Sequence, residues 1–178
     1  MFAARVATHD LVTLDQNQAL RSGKGQTFKG QNVNERRTIL HIDDDPAVLR
    51  LVSNRLREHG YDVTSCADPV DIEELLLSTN ARICLLDISM PRADGLELLK
   101  QIKRYDGGIQ VIMLTGLVSM NAVLDSLRNG AEALYFKPIL NFEPLLEILD
   151  DSFRKTDRWR KTLEELRMRR AQTLVTNE

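Results

Sequence analysis

The run Ile83-Cys84-Leu85-Leu86-Asp87-Ile88-Ser89-Met90-Pro91-Arg92-Ala93-Asp94-Gly95 decides the fold. Four consecutive apolar residues leave no polar face, and a strand needs that only when helices cover both sides of its sheet. An acid then ends the run, and Asp94-Gly95 stands where the cap and first turn of a helix are expected. The stretch therefore reads as a buried strand that passes a carboxylate into a loop, followed by a helix.

Working outward, the same alternation repeats across the chain. Strands are expected at 38–43, 61–65, 82–87, 109–114 and 133–136, with Val111-Ile112-Met113-Leu114 again apolar on both faces. Helices are expected at 47–58, 70–78, 95–104 and 119–129, and one starting near Asn141. In the first of these, Val48, Leu51, Val52 and Leu56 recur at helical spacing, and Gly60 follows as a stop. Asp68, Asp94 and Asn141 occupy expected N-cap positions, and Asp45 before Pro46 reads as a cap as well. Five β-α units in strict alternation predict an α/β, doubly wound parallel sheet with right-handed crossovers and helices on both faces. Residues 1–36 are rich in Gln, Asn, Gly, Lys and Arg and read as a flexible extension with a short helix near 11–20. The organisation expected is 1–36 extension, 37–151 domain, and 152–178 charged helical extension.

Composition narrows the function classes. The 178 residues carry 24 Lys+Arg against 26 Asp+Glu, a net of −2, which argues against a chain built to coat nucleic acid or anionic membrane. With 43% apolar residues there is enough for a core. No apolar run approaches the length of a membrane helix, and the N-terminus lacks a secretory pattern. Cys66 and Cys84 show no metal-like spacing and read as reduced core residues, so a cytoplasmic protein is expected.

Sheets of this kind place their working residues beyond the carboxyl ends of the strands. There the sequence sets Asp43-Asp44-Asp45 after strand one, Asp87 after strand three, Thr115-Gly116 after strand four and Lys137-Pro138 after strand five. Clustered acids repel unless a cation neutralises them, and hard oxygen donors suit Mg2+. A carboxylate can attack phosphorus to give an acyl phosphate, with Lys137 and Thr115 contacting the phosphoryl oxygens. The pattern points to phosphoryl transfer onto an aspartate. His9, His41 and His59 have no partners in the pattern and read as structural.

The constellation Asp43-Asp44, Asp87-x-x-Met90-Pro91-x-x-Asp94-Gly95, Thr115-Gly116 and Lys137-Pro138 resembles the receiver domain of bacterial two-component response regulators, over roughly residues 37–151. The resemblance implies a flavodoxin-like (βα)5 receiver fold of strand order 2-1-3-4-5, with helix five extended at the C-terminus. It implies Asp87 as phospho-acceptor, and Mg2+ bound directly by Asp44 and Asp87, through water by Asp43, and by the backbone carbonyl of Ser89. Thr115 would follow the phosphoryl group inward, Lys137 would pair with it, and the Lys137–Pro138 bond would be cis. Implied partners are a sensor histidine kinase or phosphotransfer protein and a downstream protein effector, in a chain that modifies itself and is not an enzyme acting on other substrates.

Two positions depart from the family pattern. Receivers usually carry Tyr or Phe three residues before the strand-five lysine, where this chain has Leu134, followed by Tyr135 and Phe136. Two residues after Thr115 stands Leu117, which cannot orient an attacking water and implies a long-lived phosphoryl group that Leu117→Glu would shorten. No output module is recognisable after the receiver. The tail continues helix five with a four-three spacing at Leu145, Leu149, Ser152, Thr156, Trp159, Leu163 and Leu166. From 154 to 170 it carries eight Arg/Lys against three acids, a net of +5. Either a solvated helix or a docking helix, including a homodimer through the C-terminal helix, is compatible with this. Binding of nucleic acid by the tail is the least favoured reading.

Two other function classes fit parts of the pattern. An aspartate-nucleophile phosphatase would read Asp43-Asp44-Asp45 as its motif, but Ala47 stands where it wants Thr or Val. A transcription regulator or scaffold would act through the basic tail.

Overall fold

The computed structural model describes residues 37–116 and 119–175. Five strands alternate with five helices: β1 (Thr38–Ile42), α1 (Pro46–Glu58), β2 (Asp62–Cys66), α2 (Ile72–Thr79), β3 (Ile83–Asp87), α3 (Gly95–Tyr105), β4 (Gln110–Thr115), α4 (Met120–Arg128), β5 (Ala133–Phe136) and α5 (Glu143–Val175). The sheet is parallel throughout, in the order β2-β1-β3-β4-β5. This is the doubly wound arrangement the alternation predicts, with the long helix five.

Side-chain alternation along the strands divides the core between the two faces. On one face Leu40, Ile42, Cys84, Leu86, Val111 and Met113 meet α2, α3 and α4. On the other, Ile39, Ile83, Leu85, Ile112 and Leu114 meet α1 and α5. Every residue of β3 and β4 is buried, as strands covered on both sides require. Each fully buried Leu or Ile contributes about 1.5–3 kcal/mol, so the central strands hold much of the stability.

Local chemistry fixes the ends. Asp45 accepts from the Ala47 N–H at 2.7 Å and Asp94 from Leu96 N–H at 2.9 Å, both at expected cap positions, while Asn141, expected to cap α5, accepts from Glu143 N–H at 3.1 Å from one residue before the cap position. Gly60 closes the α1–β2 turn at φ +83°, which a side chain would resist. The expected cap at Asp68 is corrected. Asp71 caps α2, accepting from Glu73 and Glu74 N–H at 3.0 Å each, while Asp68 pairs with Arg92 at 2.6 Å. The Asp68 carboxylate is engaged by Arg92, whereas Asp71 takes two orphan N–H groups of the first turn, where Glu73 and Glu74 also suit the helix N-terminus. Cys66 and Cys84 are both free thiols, as expected.

One cluster anchors α5 where β1 begins. Tyr61 and Phe153 stack with centroids 5.7 Å apart, the Arg37 guanidinium lies over both rings, and Arg37 and the Tyr61 hydroxyl both reach Asp150 Oδ1. Burial, and then the Asp150 carboxylate, pushes the Tyr61 phenol up to about 12, so it stays a hydrogen-bond donor. The helix expected near 11–20 lies outside the described residues. Among those described, no helix is long and apolar enough to cross a membrane.

Candidate functional site

The strand ends carry the acids to one place. The β1 end delivers Asp43, fully buried, whose N–H donates to Cys66 O at 3.2 Å and whose Oδ1 accepts from Asp45 N–H at 3.1 Å. Asp44 follows, exposed. The neighbouring strand β3 ends in Asp87, buried as well. One carboxylate oxygen from each of Asp43, Asp44 and Asp87 lies within 4.8 Å of the others. Lys137, just past β5, sends its Nζ to 2.6 Å from Asp43 Oδ2 and 3.2 Å from Asp87 Oδ2. The Lys137–Pro138 peptide is cis, as expected.

Charge balance at the site is incomplete. Burial raises the Asp87 carboxyl above the usual carboxylate range; Lys137 pulls it back and Asp43 raises it again. Among the described residues, Asp87 Oδ1 has no hydrogen-bond partner although it is buried. Three carboxylates against one ammonium, with a buried oxygen left over, is a donor set that a small hard dication satisfies. Asp43, Asp44 and Asp87 therefore fit Mg2+.

Thr115 ends β4 fully buried, and its carbonyl accepts from Lys137 N–H at 2.8 Å, which ties the two loops together. Among the described residues, nothing lies within 4 Å of where a Cβ on Gly116 would sit. Ser89 is exposed and pairs with Asp94 in an isolated antiparallel bridge. Leu117 lies outside the described residues.

The profile of the response regulator receiver domain matches residues 39–150. The chain belongs to this family. The receiver is 33% identical over 122 residues to the DNA-binding dual master transcriptional regulator RpaA of Synechocystis, an alignment covering 67% of this chain and 50% of that protein. It is 32% identical over 118 residues to response regulator MprA of Mycobacterium ulcerans, covering 66% and 50%. The chain thus spans about half the length of these curated relatives. Among solved structures, a CheY-like receiver domain protein of Methanospirillum hungatei superposes with TM-score 0.65 at 30% identity, covering 69% of this chain and 98% of that one. Chemotaxis protein CheY4 of Vibrio cholerae superposes with TM-score 0.60 at 25% identity, covering 66% and 98%.

Two residues of this receiver site carry more than the sequence reading gave them. His41 lies fully buried on β1, its Nε2 3.9 Å from Asp43 Oδ2 and both ring nitrogens without hydrogen-bond partners among the described residues. Burial, then the Lys137 charge, lowers it to about 3, so the ring is neutral. Gly95 matters for space: an added Cβ would stand 2.1 Å from the Asp87 carbonyl oxygen. Its position after a cap residue signals a helix start, and nothing in the sequence signals how near it lies to the acceptor backbone. Leu134 is half-buried and packs on the α3–α4 side, while the Tyr135 hydroxyl donates to Asn141 O at 2.6 Å and Phe136 is 46% exposed.

Proposed function

We propose that the receiver accepts a phosphoryl group on Asp87 from the phosphohistidine of a sensor histidine kinase or phosphotransfer protein, and that the modified chain changes its contacts with a downstream protein. An Asp87 carboxylate oxygen attacks phosphorus, the P–N bond to the donor histidine breaks, and its electron pair stays with the imidazole. The product is an acyl phosphate and a neutral histidine. The observation that carries this reading is Asp87 itself: a buried carboxylate with an unpartnered Oδ1 and an ammonium 3.2 Å from Oδ2.

The chain's residues divide the work. Lys137 offsets part of the charge of the buried pair before transfer and pairs with the new phosphoryl oxygens afterwards. Thr115 supplies a hydroxyl at the end of the adjacent strand, and Gly116 adds no Cβ beside it. Asp44 and Asp87 would hold Mg2+ directly, Asp43 through water, and the Ser89 carbonyl would complete the protein ligands. When bound, the ion offsets the charge of the acids and of the incoming phosphoryl group.

Intact-protein mass after incubation with acetyl phosphate and Mg2+ tests the assignment. A single phosphoryl adduct is expected in the wild type and none in Asp87→Asn, and chelation should suppress the wild-type adduct. An adduct that survives in Asp87→Asn would overturn it.

A further inference from the structure

The stripe that seats α5 on the sheet runs on past the sheet. Leu145 and Leu149 are fully covered, and Ser152 and Phe153 are buried. In the same four-three spacing, Trp159, Leu163 and Leu166 then stand 64%, 55% and 52% exposed. An apolar stripe in water on a continuous helix marks a face that something covers. It is one residue wide at each turn, the seam of a coiled coil and not the broad apolar face of a helix lying in a membrane.

The flanks say what fits. With Trp159 and Leu166 at d and Leu163 at a, the positions beside the seam are Lys155, Thr162 and Arg169 on one side and Arg160 and Arg167 on the other. The acids Asp157 and Glu164 lie outside the seam, each 3.5 Å from Arg160. Two copies paired on this seam, parallel or antiparallel, set Lys and Arg against Lys and Arg, which is unfavourable. Residues 1–36, with five basic and three acidic side chains, offer no complement either.

We infer that the α5 extension docks a different protein, one presenting a helix with an apolar seam and acidic flanks, laid along Trp159, Leu163 and Leu166. Charge on the flanks selects that partner over a second copy of this chain.

Trp159 is the only tryptophan, so its emission reports directly on the seam. The full-length protein is titrated with a synthetic heptad peptide carrying Leu at a and d and Glu at e and g, and with the same peptide carrying Lys at e and g. The Glu peptide is expected to shift Trp159 emission to the blue, saturably and less at high salt, with affinity about tenfold or more above that for the Lys peptide. The double variant Arg160→Glu/Arg167→Glu leaves two basic against two acidic flank residues and should abolish that preference; its changes are on the exposed helix, and circular dichroism confirms its fold. Equal response to both peptides, or response to neither, overturns the inference. So does a blue shift with phosphatidylglycerol vesicles or duplex DNA but not with the Glu peptide. Self-association of the free chain that Leu163→Asp abolishes, seen by sedimentation at low salt, overturns it too.

Discussion

Gly95→Ala tests whether the acceptor loop is as tightly set as the geometry requires. The new Cβ would stand 2.1 Å from Asp87 O, 2.7 Å from Ile88 Cα and 2.9 Å from Asp87 C, all backbone atoms that cannot rotate aside. Comfortable carbon contacts begin near ~3.5 Å, so the closest pair overlaps by more than about 1 Å. Relief can come from α3, whose first turn would retreat and strain the Asp94–Leu96 cap and the Gly95 N–H to Ile88 O bond at 3.2 Å. Otherwise the β3–α3 loop moves and takes Asp87 with it. Overpacking costs about 1–3 kcal/mol and a weakened cap about 1 kcal/mol, while alanine's helix preference returns up to about 1 kcal/mol. The expected net loss is about 1–3 kcal/mol, a fall in Tm of about 3–10 °C for a chain of this size. A displacement near 1 Å at the nucleophile should also slow acetyl phosphate labelling by about tenfold or more. Thermal melts followed by circular dichroism and a labelling time course measure both. Gly107→Ala is the control, since its nearest neighbour is Lys103 O at 3.8 Å. If Gly95→Ala melts and labels like the control, the loop yields without cost and the steric reasoning fails.

Asp87→Asn should be more stable than wild type in Mg2+-free buffer at neutral pH, because burial holds the Asp87 carboxyl above its ordinary range while Lys137 keeps Asp43 as a partner. The gain should close as pH falls through that raised value and the wild-type carboxyl becomes neutral; urea titrations across pH with chelator present check this, and a less stable variant at neutral pH contradicts it. His41→Leu removes two buried ring nitrogens without hydrogen-bond partners and should stabilise by about 1 kcal/mol at neutral pH. The wild-type ring is held at about 3 when folded and near 6.5 when unfolded, so wild-type stability is lost as pH falls from 6.5 and the variant's advantage widens, unless a pH series of melts shows a constant difference. Phe153→Ala removes the ring stacked on Tyr61 under Arg37 and should cost about 3–5 kcal/mol by chemical denaturation; a loss below 1 kcal/mol would mean the cluster does not anchor α5.

The fold was legible because its signals are local and repeated. Ile83-Cys84-Leu85-Leu86 and Val111-Ile112-Met113-Leu114 cannot sit at a solvent face, and each is followed by a polar residue at the strand end. Strand boundaries moved by a residue, as at β2, where Tyr61 belongs to the stacked cluster with Phe153 and the strand starts at Asp62. Asp68 and Asp71 both have side chains suited to a cap, and only the three-dimensional structure shows Asp68 turned to Arg92 while Asp71 takes the first-turn N–H groups. At the site, Asp43, Asp44, Asp87 and Lys137 were findable because strand order alone brings their strand ends together. Gly95 and His41 were not, since a backbone approach of 2.1 Å and an orphaned ring arise only in three dimensions. The docking face was half legible: the four-three spacing is in the sequence, but burial decides which part of it remains open past Phe153.

The central claim is that Asp87 is the phosphoryl acceptor. Borohydride reduction of the labelled full-length protein converts an acyl phosphate on aspartate to homoserine, which peptide mass spectrometry places by position. Homoserine at position 87 alone is the result expected; homoserine at 43 or 44, or a phosphoryl adduct that resists reduction, would contradict the account.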